Sequence, residues 1–139
     1  MKFSASIETH HGFGRDAFDI MRAALDFFPA RLSEGVLGRL DVELCYVPIL
    51  MPEELAGGYP ARSGLDRTKR IIFCSPQLDA DDWVTASVEG RIALYTQGLR
   101  ACVPLMRRMG ASDAEIRAIL GEVNAFAAHA ARRLEAPGA

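Results

Sequence analysis

The chain has 139 residues, of which 50% are hydrophobic and 24% charged, and its formal net charge is −2. This length and composition are typical of one globular domain and exclude wholesale disorder. The chain also lacks the concentrated basic stripe of duplex-binding modules, so we expect no nucleic-acid partner.

The three cysteines stand singly in apolar runs, at Cys45, Cys74 and Cys102. Their odd number and wide spacing indicate reduced thiols, not a disulfide framework. No apolar run approaches the ~18 residues that can span a bilayer. The first residues include Glu8 and lack the hydrophobic block of a signal peptide. We therefore expect a cytoplasmic protein with no membrane partner.

The first two elements follow from a change in the period of the apolar residues. Residues 2–9 alternate between apolar and polar side chains, which predicts a strand with one buried face. Residues 10–14 contain two glycines and predict a turn. From Arg15 the spacing becomes helical, and Pro29 is expected to end or bend that helix.

Two further strands are predicted in the middle of the chain, on either side of a long loop. Residues 41–47 carry apolar side chains on both faces, which is typical of a central strand. Residues 51–68 show no period, and a loop of this length is often a binding element. A third strand follows at residues 69–75. Residues 79–87 fit either a capped helical turn or a short fourth strand.

The C-terminal part of the sequence predicts two long helices. Apolar residues recur at helical spacing across residues 88–109, and Pro104 is expected to kink the last turn. A Ser-Asp-Ala-Glu capping box then opens a final helix over residues 113–134. Residues 135–139 are expected to form a frayed tail.

Together these elements predict one α+β domain that covers residues 1–139, with the order β-α-β-β-(β)-α-α. We expect a two-layer sandwich in which three helices cover a small, mostly antiparallel sheet of three or four strands. The antiparallel arrangement depends on the third strand returning beside the second after the 51–68 loop.

The turn after the first strand is one candidate site. Gly12, Gly14 and Ala17 satisfy G-x-G-x-x-A at the start of a helix, where backbone amides can hold a phosphate. The second strand ends without the acid expected to bind a ribose, so we prefer a structural turn and expect no nucleotide cofactor. A small-molecule or catalytic site here would use the following residues: His10, His11, Gly12, Gly14 and Arg15.

The patterns that signal metal or catalytic chemistry are missing from the sequence. His10 and His11 are neighbours, so in a strand they would point to opposite sides and could not readily chelate one ion together. There is no Cys-x-x-Cys or His-x-x-x-His spacing and no Gly-x-Ser-x-Gly context. We therefore expect no metal and no enzyme, with His10 or His11 as the candidate general base under the catalytic alternative.

Acidic residues cluster before the first long C-terminal helix, at Asp79, Asp81 and Asp82, with Trp83 beside them and Glu89 beyond. First-turn acids cap and stabilise helices, which is the structural interpretation. The functional interpretation is a docking patch for a basic partner, with Trp83 as an exposed aromatic anchor at its edge. The sequence leaves both interpretations open.

The second exposed candidate is the 51–68 loop. In it Tyr59, Arg62 and Arg67 alternate with glycines. A structural connection and a partner-binding element are both open here.

Three stretches carry a family resemblance: Ser6–Gly12, Tyr46–Pro52 running on to Gly58–Arg62, and Pro76–Asp79. They resemble the immunity proteins of bacterial polymorphic-toxin and contact-dependent inhibition systems. Those proteins are diverse in fold and neutralise a cognate toxin by binding it. The resemblance therefore implies a toxin-binding protein, and it assigns no individual functional residue.

Three interpretations follow for the function. The first is a cytoplasmic inhibitor that binds a cognate toxin through the 51–68 loop and the acidic patch. The alternative is a small-molecule-binding or catalytic domain that uses the His10–Arg15 turn. The third is a structural subunit whose exposed helix face forms a homo-oligomer such as a homodimer.

Overall fold

The computed structural model describes residues 1–51, 64–66 and 68–135. The strands are β1 (Lys2–Ala5), β2 (Glu43–Tyr46), β3 (Ile49–Met51), β4 (Gly64–Asp66), β5 (Ile71–Cys74) and β6 (Gln77–Asp79). The helices are α1 (Ile7–His10), α2 (Arg15–Leu32), α3 (Ala80–Thr85), α4 (Val88–Arg100), α5 (Val103–Arg108) and α6 (Asp113–Glu135). Short 3-10 turns occupy His11–Phe13 and Leu37–Arg39.

The sheet is mainly parallel, so the predicted α+β sandwich with a mostly antiparallel sheet is wrong. Strands β1, β2 and β5 lie side by side and run parallel, and only the short edge strand β4 is antiparallel to β5. The connection between β2 and β5 covers residues 47–70 and is long enough for a crossover. The 51–68 stretch shows no helical period, which favours a returning strand, whereas a connection of this length also allows a crossover between parallel strands.

A second pair of strands extends the two central strands. Strands β3 and β6 also pair in parallel, just beyond the ends of β2 and β5. The Val47 N–H donates to the Cys74 carbonyl at 2.8 Å and continues the ladder of β2 and β5 by one bond toward the second pair. Residues 79–87, which were predicted as strand or helix, therefore contain the end of β6 followed directly by α3.

The first strand is shorter than its alternation predicts. It ends at Ala5, and residues 7–10 form a helical turn that bonds back to Ser6. The Thr9 hydroxyl donates to the Ser6 carbonyl at 3.1 Å. This local bonding competes with the extended conformation and ends the strand.

The helices form most of the chain and bury one face of the sheet. Helix α6 packs along both α2 and α4. The Phe28 ring lies 4.8 Å from Phe126 of α6 and 4.9 Å from Phe3 of β1, measured between centroids. These aromatic contacts join the helical layer to the sheet and mark the centre of the hydrophobic core.

The predicted 88–109 helix is two helices. Helix α4 ends at Arg100, and α5 begins at Val103, with Pro104 in its first turn. Proline lacks the N–H that the carbonyl of Arg100 would need, so the chain breaks before it instead of kinking after it. Among the residues described, no helix combines the length and apolar character that crossing a membrane requires.

Candidate functional site

Helix α3 begins with a side-chain cap. The Asp79 Oδ1 atom accepts hydrogen bonds from the backbone N–H groups of Asp81, at 2.8 Å, and Asp82, at 3.1 Å. A carboxylate that bonds these first amides also complements the positive end of the helix. The capping interpretation therefore holds for Asp79, whereas Asp81 and Asp82 lie in the first turn with exposed carboxylates that also complement the positive end of the helix.

The outer face of α3 combines two acids with an exposed apolar side chain. Asp81 and Asp82 are exposed, and Val84 is 66% exposed, the highest value among the large exposed hydrophobic residues described. Glu89, also exposed, follows in the first turn of α4. We call Asp81, Asp82 and Val84 the α3 surface. Sequence reasoning missed Val84, because its exposure becomes visible only once the buried face of this short helix is known.

Trp83 does not supply the exposed anchor that the sequence suggested. It is 2% exposed, and its indole N–H donates to the Phe13 carbonyl at 3.0 Å. Its ring meets the Phe13 ring edge to face at 5.1 Å. A helix of one and a half turns has a single inward face, and Trp83 occupies it. The indole therefore fixes α3 to the turn before α2.

Arg91 holds the other end of α3 and was not singled out from the sequence. Its Nε donates to the Trp83 carbonyl at 2.8 Å, and one Nη donates to the Val84 carbonyl at 3.0 Å. The other Nη forms an ion pair with Asp16 of α2. The guanidinium thus satisfies two carbonyls near the C-terminal end of α3 and joins α2, α3 and α4. Together with the Asp79 cap, it holds the α3 surface in a defined position.

His10 is completely buried and both of its ring nitrogens have partners. Nδ1 lies within hydrogen-bond distance of the Ser6 carbonyl, which fixes Nδ1 as the protonated nitrogen. Nε2 then accepts from the Tyr95 hydroxyl at 3.1 Å. The Tyr46 hydroxyl donates in turn to the Tyr95 carbonyl at 3.0 Å. The bonds of His10 therefore link α1 to α4, the Tyr46 bond links β2 to α4, and the buried imidazole is not accessible to a ligand from solvent.

Burial of His10 predicts a loss of stability in mild acid. Desolvation lowers the pKa of His10, although its bond to Ser6 opposes this. Burial raises the pKa values of Tyr46 and Tyr95, so the phenols facing His10 stay neutral and supply no countercharge. Below pH ~6.5 the unfolded chain binds a proton that the folded chain resists. The free energy of unfolding should therefore fall as the pH drops from about 6.5 toward the lower pKa of the folded state.

Urea unfolding at pH 7.5 and 5.5 measures this effect. Replacing His10 with glutamine removes the titrating group and keeps polar atoms in its place. We expect the His10→Gln variant to lose much of the decrease in unfolding free energy that the wild type shows between the two pH values. An equal decrease in both proteins would contradict a protonation-sensitive His10.

The turn that contains Gly12 and Gly14 lies beyond the carboxyl end of β1, after α1. Gly14 is the N-cap of α2 with a φ of 82°, a conformation that favours glycine, and no side chain caps this helix. Gly12 and Arg15 are exposed. His11 lies in the 3-10 turn between α1 and α2, and its side chain is outside the described part of the structure. The turn therefore brings backbone and Arg15 to the surface while His10 turns inward.

Two of the three thiols are buried and poorly suited to ionise. Burial raises the pKa of Cys102 to about 12 and raises that of Cys74 further. The Cys74 thiol donates to the carbonyl of Gly98. Cys45 is half-buried on the opposite face of β2, and all three thiols are free. The two buried thiols thus behave as small apolar side chains of the core.

The structure does not describe the three candidate residues of the predicted binding loop. Tyr59, Arg62 and Arg67, from the predicted binding loop, lie outside the described residues. Within the ranges the structure describes, no group of three or more His, Cys, Asp or Glu residues could hold a metal ion. The α3 surface and the His10–Arg15 turn are therefore the two candidates whose geometry can be compared.

Comparisons of the chain with protein-family models, with curated proteins and with solved structures found no match.

Proposed function

We propose that this chain is an immunity protein that binds a cognate bacterial toxin and neutralises it by protein–protein contact. The observation that supports this most is the α3 surface, where the 66% exposed Val84 shares a short helix with two exposed carboxylates. Asp79 is engaged in the cap through its two amide bonds. Asp81 and Asp82 also complement the positive end of α3 from its first turn, but they are exposed, so both carboxylates can in addition bind a basic partner.

The chemistry of this surface favours a partner with basic side chains around a small apolar contact. A bound arginine or lysine would make charge-assisted hydrogen bonds to Asp81 and Asp82, each worth ~1.5–3 kcal/mol net when water is excluded. At the rim of an interface the same charges mainly raise the association rate. Because Asp79 and Arg91 hold α3 at its two ends, the surface needs little rearrangement before binding.

A co-expression experiment tests the proposal. The candidate toxin is the product of a toxin-domain gene immediately next to the gene for this chain. We expect bacteria that express this toxin to grow when the chain is present and to die when it is absent. A metabolic operon at this position, or toxicity that persists at equal toxin levels, would contradict the proposal.

The second candidate is a small-molecule-binding or catalytic domain at the His10–Arg15 turn. Its support is the parallel order of β1 and β2, because ligands in such sheets bind beyond the carboxyl ends of the strands. Burial of His10 removes that imidazole from this candidate and leaves His11, whose side chain lies outside the described part of the structure, with Gly12, Gly14 and Arg15. Two results together would favour this second candidate. The wild type would bind a small molecule that an Arg15→Gln variant does not bind, and the wild type would give no protection from the toxin.

A further inference from the structure

A groove of about 360 Å³ lies at the amino-terminal edge of the sheet, away from both candidates above. The start of β1, the residues that lead into β2 and the turn before β5 form its walls. Six polar or charged residues line it: Lys2, Asp41, Glu43, Thr68, Lys69 and Arg70. Its volume lies at the lower end of the range of small-molecule pockets.

Positive charge collects in this groove although the chain as a whole is slightly acidic. The sequence contains two lysines, Lys2 and Lys69, and both line the groove. Within the described ranges, neither lysine side chain has an ion-pair or hydrogen-bond partner. A smaller neighbouring groove of about 240 Å³ shares Lys2 and adds Arg39. Three lysine or arginine residues therefore line the larger groove, and Arg39 lines the neighbouring one.

The two carboxylates of the groove are already engaged. Asp41 lies 3.8 Å from Arg70 in an ion pair, and its carbonyl accepts from the Arg70 Nε. The Glu43 carboxylate accepts from the Ser4 hydroxyl at 3.5 Å. Asp41 thus offsets and positions Arg70, while Glu43 keeps its charge, so the described lining residues carry three positive and two negative charges.

Arg70 sits in a conformation that non-glycine residues rarely adopt. Its φ is 56°, and its carbonyl accepts from the Glu43 N–H at 2.9 Å. The turn is closed by Asp66, whose carboxylate accepts from the Lys69 N–H at 2.9 Å. This left-handed turn places Thr68, Lys69 and Arg70 on one wall, opposite Lys2.

We propose that this groove binds the phosphate group of a small, soluble phosphorylated molecule. Lys2 and Lys69 supply the charge, and the Thr68 hydroxyl and the Arg70 guanidinium supply further donors. A phosphate group can accept several of these N–H and O–H donors at once, and such charge-assisted hydrogen bonds are the strong ones. The groove is on the opposite edge of the sheet from the ends of β2 and β5 that lead to α3, so this function is independent of toxin binding.

Calorimetric titration with inorganic pyrophosphate at low ionic strength tests the proposal. We expect wild type to bind pyrophosphate, and the Lys2→Gln/Lys69→Gln variant to bind about tenfold more weakly or worse. The matched control is Arg108→Gln/Arg117→Gln, which removes the same charge from exposed side chains of α5 and α6. This control should bind within about twofold of wild type, since distant charges are screened by salt.

Three results would overturn the proposal. The first is no pyrophosphate binding by wild type. The second is equal weakening in both double variants, which would show general attraction to a positive surface. The third is binding to phosphatidic-acid vesicles without binding of pyrophosphate, which would indicate a membrane surface in place of a soluble ligand. Both lysine residues are exposed, so we expect their replacement to leave the melting temperature unchanged. That measurement shows whether the variants are folded.

Discussion

Replacing Trp83 with alanine is expected to lower the free energy of unfolding by about 3–5 kcal/mol, the usual cost of removing a large buried aromatic side chain. The indole is 2% exposed, bonds the Phe13 carbonyl at 3.0 Å and packs against the Phe13 ring. Its loss should free α3 from the turn before α2. For a domain of this size the melting temperature should fall by on the order of 10–20 °C, which thermal unfolding measures.

A Trp83→Phe variant separates packing from hydrogen bonding. It keeps most of the ring volume but removes the donor to the Phe13 carbonyl, so we expect a smaller loss of about 1–3 kcal/mol. A Trp83→Ala variant that melts within about 2 °C of wild type would contradict the structural role of the indole. The indole would then be exposed in solution and would return as a candidate anchor for a partner.

Replacing Gly98 with alanine is expected to destabilise the protein although alanine is the better helix former. A Cβ at Gly98 would lie 2.6 Å from Cγ of Pro76 and would overlap the Tyr46 hydroxyl. Neither neighbour can yield easily, because the proline ring is rigid and the Tyr46 ring packs 4.3 Å from Tyr95. Overpacking costs about 1–3 kcal/mol or more, against a gain in helix propensity of about 1 kcal/mol. The difference is a net loss of up to about 2 kcal/mol.

The matched control is Gly121→Ala, also within a helix. A Cβ at Gly121 in α6 would meet no atom within 4 Å, so only the gain in propensity remains. We expect this variant to be more stable than wild type by about 0.5–1 kcal/mol. Urea unfolding of the two variants should therefore show shifts of opposite sign. Shifts of the same sign would mean that α4 does not approach β2 and Pro76 as closely as described.

Much of the helical part of the fold could be predicted from the sequence, because its signals are local. The capping box at Ser112 and Glu115 forms as predicted, with reciprocal bonds of 2.8 and 3.2 Å. Helix α6 follows from it over Asp113–Glu135. Strand direction is different, since the alternation of β2 and β5 is the same whether they run parallel or antiparallel. The parallel order depends on the path of residues 47–70, which carries no periodic signal.

The candidate site was harder to predict than the fold. The acidic cluster was visible in the sequence. Knowing that Asp79 caps α3, and that Asp81 and Asp82 lie in its first turn, required the start of the helix, which only the structure gives. Trp83 and Val84 are adjacent, and only the packing of α3 decides which one is buried. The alternation of residues 2–9 predicts a strand that ends just before His10, where side chains are often exposed, whereas the helical turn of α1 brings His10 inward.

The most direct test of the proposed function is a calorimetric titration of the purified cognate toxin with the Asp81→Asn/Asp82→Asn variant. The account predicts a dissociation constant at least tenfold larger than that of wild type, with the salt dependence of binding reduced. The Asp79 cap remains, so the melting temperature should change by only a few degrees. Binding and protection equal to those of wild type would contradict the assignment of the α3 surface as the toxin-binding site.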